Sequence, residues 1–169
     1  LVEQIISSHP DVYPGDELNL FNDLIKSNFY KNRKLSIESI YNSTDDDFKD
    51  IANKYIKKIY EISNKSKRVT DKLPINFKWV GFIKLILPDA KIVHCSRDPK
   101  DTCVSIYKNF FTNPELNYAY NFSELVDFYN LYNDLMKFWK NNFSESIIEI
   151  KYENLTKNPR KEIKQLIKS

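Results

Sequence analysis

Glycine is almost missing from this chain: its 169 residues hold two, Gly15 and Gly81. A loop that cradles phosphate on converging backbone amides needs several glycines close together. Neither GxxxxGK[ST] nor GxGxxG occurs, which excludes a nucleotide loop of either kind within these residues. The two cysteines, Cys95 and Cys103, are too few for a disulfide framework and read as buried small hydrophobes. The two histidines, His9 and His94, make no metal-ligand cluster, so no metal is expected. No apolar stretch approaches the ~18–20 residues of a membrane span. The opening residues do not resemble a secretory leader, and with so few cysteines a cytoplasmic location is favoured. Charge of one sign is lacking as well. Lys and Arg total 26 against 23 Asp and Glu, too even for non-specific nucleic-acid binding. Arginine is limited to Arg33, Arg68, Arg97 and Arg160, so one beside an apolar segment stands out as a phosphate ligand.

What is present is a run of helical and strand signals sized for one domain. Val2, Ile5, Ile6 and His9 share a helix face up to Pro10, and residues 11–16 form a turn around Pro14 and Gly15. A helix from about Glu17 presents Leu18, Phe21, Leu24 and Ile25; residues 31–43 read as a loop with a short helix. Thr44 and the three aspartates after it start a long helix with Phe48, Ile51, Tyr55, Ile59 and Ile62 on its inner face. Strands at 68–71, 91–96 and 147–152 then alternate with helices at 75–87, 99–111, 123–143 and from Pro159 onward. Such alternation predicts an α/β fold with a parallel sheet between helices.

Chemistry concentrates where a strand ends and a helix begins. After Ile92-Val93-His94-Cys95-Ser96 comes Arg97, with Asp98 placed as N-cap and Pro99 at the first helical position. Ligands of open α/β sheets bind past the carboxyl ends of strands, beside helix N-termini. Arg97 and Ser105, about two turns along, suit one phosphate between them; the competing reading is an ion pair of Arg97 with a nearby aspartate.

The run CSRDPKDTCVSIYKNFF resembles the 3′-phosphate-binding segment of the sulfotransferases, which transfer a sulfuryl group from 3′-phosphoadenosine-5′-phosphosulfate (PAPS). In that family an Arg after the strand is followed eight residues later by a helical Ser, the spacing of Arg97 and Ser105. LVEQIISSHPDVYPGDEL resembles the helix and turn after the family's 5′-phosphosulfate loop. VTDKLPINFKWVGFIKLILPDAKIVHC is similar to its second strand and helix, and KYENLTKNPRKEIKQL to its late strand and helix. The texture is nearest the protein-tyrosine sulfotransferases and their bacterial relatives, which are often fused to helical repeats.

The resemblance implies a P-loop NTPase-like three-layer α/β fold, a parallel sheet flanked by helices, incomplete at both ends. Residues 1–169 would be a single sulfotransferase domain truncated at its N-terminus, where the phosphosulfate loop and a core strand are missing, and at its C-terminus. It implies transfer from PAPS to an acceptor hydroxyl, on a protein tyrosine, a glycan or a small molecule. Glu17 would be the general base, with Asp16 in reserve and His9 as competitor, and Lys72 would neutralise charge on the transferring group. Arg97 and Ser105 would grip the 3′-phosphate, Tyr152 would lie near the donor's nucleotide, and no metal is implied. Two alternatives are a nucleotide-dependent kinase-like fragment and a non-catalytic helical interaction module. The start at Leu1 fits an internal piece of a longer enzyme, which alone would be inactive.

Overall fold

Thr44 and its three aspartates do begin a helix in the computed structural model, which describes residues 1–168. Thr44 Oγ1 accepts the Asp47 N–H at 3.3 Å, and Asp47 Oδ2 accepts the Thr44 N–H at 2.8 Å, closing a reciprocal cap. The bond from the Thr44 N–H, and after it one from the Thr44 hydroxyl, hold the Asp47 carboxyl below the usual aspartate range.

The chain divides into two compact units, Leu1–Ala90 and Lys91–Ser169. The first runs α1 (Val2–Ile6), β1 (Val12–Pro14), α2 (Leu20–Phe29), β2 (Tyr30–Lys31), β3 (Lys34–Leu35), α3 (Ile37–Tyr41), α4 (Asp45–Ile62) and β4 (Arg68–Thr70), then a 3₁₀ segment (Pro74–Trp79) and α5 (Val80–Ile86). β1 pairs in parallel with β4, Val12 opposite Arg68 and Pro14 opposite Thr70. Phe21, Leu24, Ile25 and Phe29 line one face of α2 and pack on Ile51 of α4 and Ile86 of α5. Phe82 sits among their rings, its centroid 5.8 Å from Phe21, 5.2 Å from Phe29 and 5.9 Å from Phe48, all edge-on.

The second unit runs β5 (Ile92–Ser96), α6 (Pro99–Tyr107), a 3₁₀ segment (Pro114–Tyr120), α7 (Phe122–Asn142), a 3₁₀ turn (Ser144–Ser146), β6 (Ile147–Lys151), α8 (Tyr152–Lys157) and α9 (Pro159–Lys168). β5 and β6 pair in parallel from Ile92 opposite Ile147 to Ser96 opposite Lys151. Its core holds Cys103, Leu125, Met136, Ile150, Leu155 and Leu166. Among the described residues no helix is long and apolar enough to cross a membrane.

The mixed α/β character and the helix-flanked parallel strands agree with the sequence reading. Among the described residues the strands lie in two-stranded ladders, β1 with β4 and β5 with β6 parallel and β2 with β3 antiparallel. The expected turn at residues 11–16 contains β1. The helix expected from Glu17 begins at Leu20, because the Asp16 carbonyl already accepts the Lys72 N–H at 2.9 Å and cannot open a helix. The expected loop after Lys31 is a hairpin, β2 with β3, turned by Asn32 and Arg33 in the left-handed region at φ 51° and 62°. Of the two cysteines expected to be buried, Cys103 is, whereas Cys95 is exposed. Successive β5 side chains point to opposite faces, and Cys95 is the one left open.

Candidate functional site

Because β1 and β4 are parallel, their carboxyl ends emerge side by side, and the residues that leave them carry the charge. Gly15 donates its N–H to Thr70 O at 2.9 Å, and Lys72 donates to Asp16 O at 2.9 Å, so the two exits stay joined beyond the ladder. A Cβ on Gly15 would meet Thr70 O at 2.2 Å; close approach, not a tight turn, is what requires glycine here. The left-handed residue is the next one, Asp16, at φ 55°.

The Lys72 ammonium reaches Glu17 Oε1 at 2.7 Å and Asp16 Oδ1 at 3.0 Å. The hydrogen bond to Glu17 first, and that to Asp16 against some desolvation, hold Lys72 above the usual lysine range. All three side chains stay accessible, Glu17 at 56% and Lys72 at 43% exposure. Two of the residues singled out in sequence, Glu17 and Lys72, are therefore brought together as an open ion pair. Glu17 lies ahead of the Asn19 N-cap of α2 rather than in its first turn, where the helix dipole would favour a carboxylate. His9 is exposed, and its Nδ1 accepts the Asp11 N–H at 3.2 Å, closing the turn after α1.

Glu3 and Asp71 escaped the sequence reading, and Tyr55 was read only as an inward-facing helix residue. Glu3 Oε1, from α1, accepts the Asp16 N–H at 2.9 Å and the Thr70 hydroxyl at 2.7 Å, fixing the strained turn. Asp71 Oδ2 accepts the Tyr55 hydroxyl at 2.8 Å and Oδ1 the Asn76 amide at 3.4 Å. Burial raises the Asp71 carboxyl above the usual aspartate range despite these bonds, and burial with the Asp71 charge pushes the Tyr55 phenol up. Asp71 thus anchors the exit of β4 inward while its neighbour Lys72 faces out. Its adjacency to Lys72 in TDKLP was the one local signal available.

In the second unit Arg97 and Tyr152 follow the last β5–β6 pair, Ser96 and Lys151. The Arg97 guanidinium carbon lies 5.2 Å from the centroid of the Tyr152 ring, a cation–π contact. Arg97 Nη2 also reaches Asp101 Oδ2 at 3.2 Å, the ion pair that competed with a phosphate role in the sequence. Asp98 caps α6, accepting the N–H groups of Lys100 and Asp101, and its own N–H donates to Glu153 Oε1 at 2.9 Å. That bond from Asp98 foremost holds the Glu153 carboxyl below the usual glutamate range. Ser105 lies exposed on α6, and no hydrogen bond joins it to Arg97 among the described residues. Nor is there, among those residues, a group of three or more His, Cys, Asp or Glu able to hold a metal ion.

The family model described as the sulfotransferase family matches residues 1–169. An uncharacterized protein of Aquifex aeolicus (strain VF5) is 31% identical over 175 residues, covering 99% of this chain and 23% of that protein. The chain thus spans less than a quarter of the length of that relative. No solved structure matches the chain.

Proposed function

This chain belongs to the sulfotransferase family, and from that premise we propose that it takes part in transferring a sulfuryl group from PAPS to an acceptor hydroxyl. Arg97, Ser105 and Tyr152 take the donor's nucleotide, the arginine and serine at the 3′-phosphate and the tyrosine against the adenosine. Glu17 removes the acceptor proton as the new S–O bond forms, and Lys72 balances negative charge on the transferring group. The S–O bond to the donor phosphate breaks in the same step, and adenosine 3′,5′-bisphosphate departs. As in phosphoryl transfer, the protein is asked mainly for positioning and charge stabilisation.

The observation that carries this reading is the direct Lys72–Glu17 contact at 2.7 Å, just past the carboxyl ends of a parallel strand pair. A carboxylate and a cation side by side there support the reading, because ligands of open α/β sheets bind past the carboxyl ends of strands. The ion pair also has a mechanistic consequence. Lys72 holds Glu17 until an anionic sulfonate competes for the ammonium, which frees the carboxylate for the acceptor proton.

Donor identity is tested by titrating the full-length protein calorimetrically with adenosine 3′,5′-bisphosphate and with AMP. A charge-assisted hydrogen bond of about 1.5–3 kcal/mol predicts a preference of roughly 10- to 150-fold for the 3′-phosphorylated nucleotide. Equal affinities would overturn the PAPS reading, and ATP-dependent phosphoryl transfer would replace it with a kinase-like one.

A further inference from the structure

More than a backbone ladder joins β5 to β6. His94 and Glu149 are register partners, and His94 Nδ1 lies 2.5 Å from Glu149 Oε1. Lys140 Nζ, from α7, reaches the same oxygen at 2.5 Å. On the other edge of the imidazole, Tyr132 Oη of α7 lies 2.5 Å from Nε2. The His94 side chain is only 10% exposed.

Proton placement follows from the neighbours. Burial alone would raise the Glu149 carboxyl, but the hydrogen bonds from Lys140 and His94 outweigh it and hold the group below the usual glutamate range. A carboxylate accepts only, so Nδ1 carries the hydrogen toward Glu149, and Nε2 shares a second hydrogen bond with the Tyr132 hydroxyl. Burial, and after it Tyr129 and Glu149, push the Tyr132 phenol up to about 12, so it stays a neutral phenol beside the imidazole. The network does no covalent chemistry. Its effect is mechanical.

A five-residue parallel pair holds its register weakly by backbone bonds alone, and a slip of one residue sends each side chain to the opposite face. Arg97 and Tyr152 lie three residues beyond His94 and Glu149, where such a slip would separate them. We propose that His94, bonded between Glu149 and Tyr132, is a positioning residue that locks β5 against β6 and so keeps Arg97 over Tyr152, ready for the donor's 3′-phosphate. The ligand in this statement rests on the sulfotransferase reading above; the lock itself does not.

Two readouts in the full-length protein separate these parts. The first needs no ligand: with arginine-selective isotope labelling, the ring-current shift of the Arg97 side chain by Tyr152 is measured by NMR, Tyr152→Leu giving its zero. His94→Phe, which keeps a ring and removes both bonds, loses most of the shift. His94→Asn, which keeps an N–H toward Glu149, recovers part of it. The second is the ratio of dissociation constants for adenosine 3′,5′-bisphosphate and AMP. A loss of folded protein weakens both equally and leaves the ratio unmoved, whereas mispositioned Arg97 raises it by on the order of tenfold. Should His94→Phe fail to fold, Glu149→Gln and Tyr132→Phe each remove part of the network and carry the same measurements. An unchanged shift, or a lost shift with an unchanged ratio, overturns the proposal. Wild-type protein that binds neither nucleotide overturns the functional reading instead, while the shift still reports on the lock.

Discussion

Glu17 and Asp16 are neighbours on the same turn and both touch Lys72, yet they are built for different work. Asp16 is held through its backbone: its N–H goes to Glu3, its carbonyl takes Lys72, and its φ of 55° sets the turn. Glu17 lacks those duties and presents a half-exposed carboxylate against the ammonium. In the full-length protein Glu17→Gln is therefore expected to cut turnover by about 10²–10⁴, the usual worth of a general base. Donor affinity should stay near wild type, and Asp16→Asn should do much less, because the turn survives it. Steady-state kinetics on both variants decide the assignment, and loss of turnover in Asp16→Asn alone would move the base by one residue. Glu17 and Lys72 were singled out through the resemblance of the runs that hold them to sulfotransferase segments, while their meeting was decided by the β1–β4 register. Glu3 was not legible: its bond to Thr70 joins residues 67 apart, and nothing near Glu3 in the sequence marks it. The Arg97–Tyr152 contact was half legible, each residue flagged by its own strand end but their meeting decided by the β5–β6 register.

Helices announced themselves better than strands did, and the reason is the information each carries. α4 runs for 18 residues with a reciprocal cap at its start, and α7 for 21 with Asn121 accepting from Ser123 and Glu124. Both were readable to within a residue or so from periodicity and capping chemistry. β1 has three residues, the last a proline, and β2 and β3 have two each, too few for any alternation to show. The hairpin between β2 and β3 was hidden further because Arg33 occupies a position where glycine is the usual signal. Packing between helices carries the stability of the first unit. Phe29 is 2% exposed and touches both the Phe48 and Phe82 rings, so it is the residue to remove. Phe29→Ala should cost about 3–5 kcal/mol, from lost transfer energy and the cavity left among rings that cannot close on it. Urea denaturation of the two proteins, compared at equal m-value, measures this. A loss below about 1 kcal/mol would mean that α2 repacks freely and that the aromatic cluster is not the core it looks like.

At the scale of the whole molecule, both compact units repeat one device: a parallel strand pair whose carboxyl ends release a cation and an acidic partner, Lys72 with Glu17 and Arg97 with Asp101. Among the described residues neither unit offers a glycine-lined loop for the sulfonate-bearing 5′ end of the donor proposed above. That end carries charge on two groups and calls for several backbone N–H groups converging on it. Converging amides need residues without a Cβ, and the chain's two glycines are both committed elsewhere. Gly15 lies against the Thr70 carbonyl, and Gly81 lies inside α5. Two of the cations are committed as well: Lys84 is turned onto the Pro88 and Ala90 carbonyls, and Lys140 onto Glu149. These 169 residues produced by themselves are thus expected to give no measurable sulfuryl transfer from PAPS, whatever hydroxyl acceptor is offered. They should still bind adenosine 3′,5′-bisphosphate weakly through Arg97, and Arg97→Ala should remove its advantage over AMP. A radiolabelled-sulfate assay settles the first point and calorimetry the second. Turnover above the no-protein rate would show that the sulfonate is held by side chains rather than by a backbone loop, with Lys72 the first candidate.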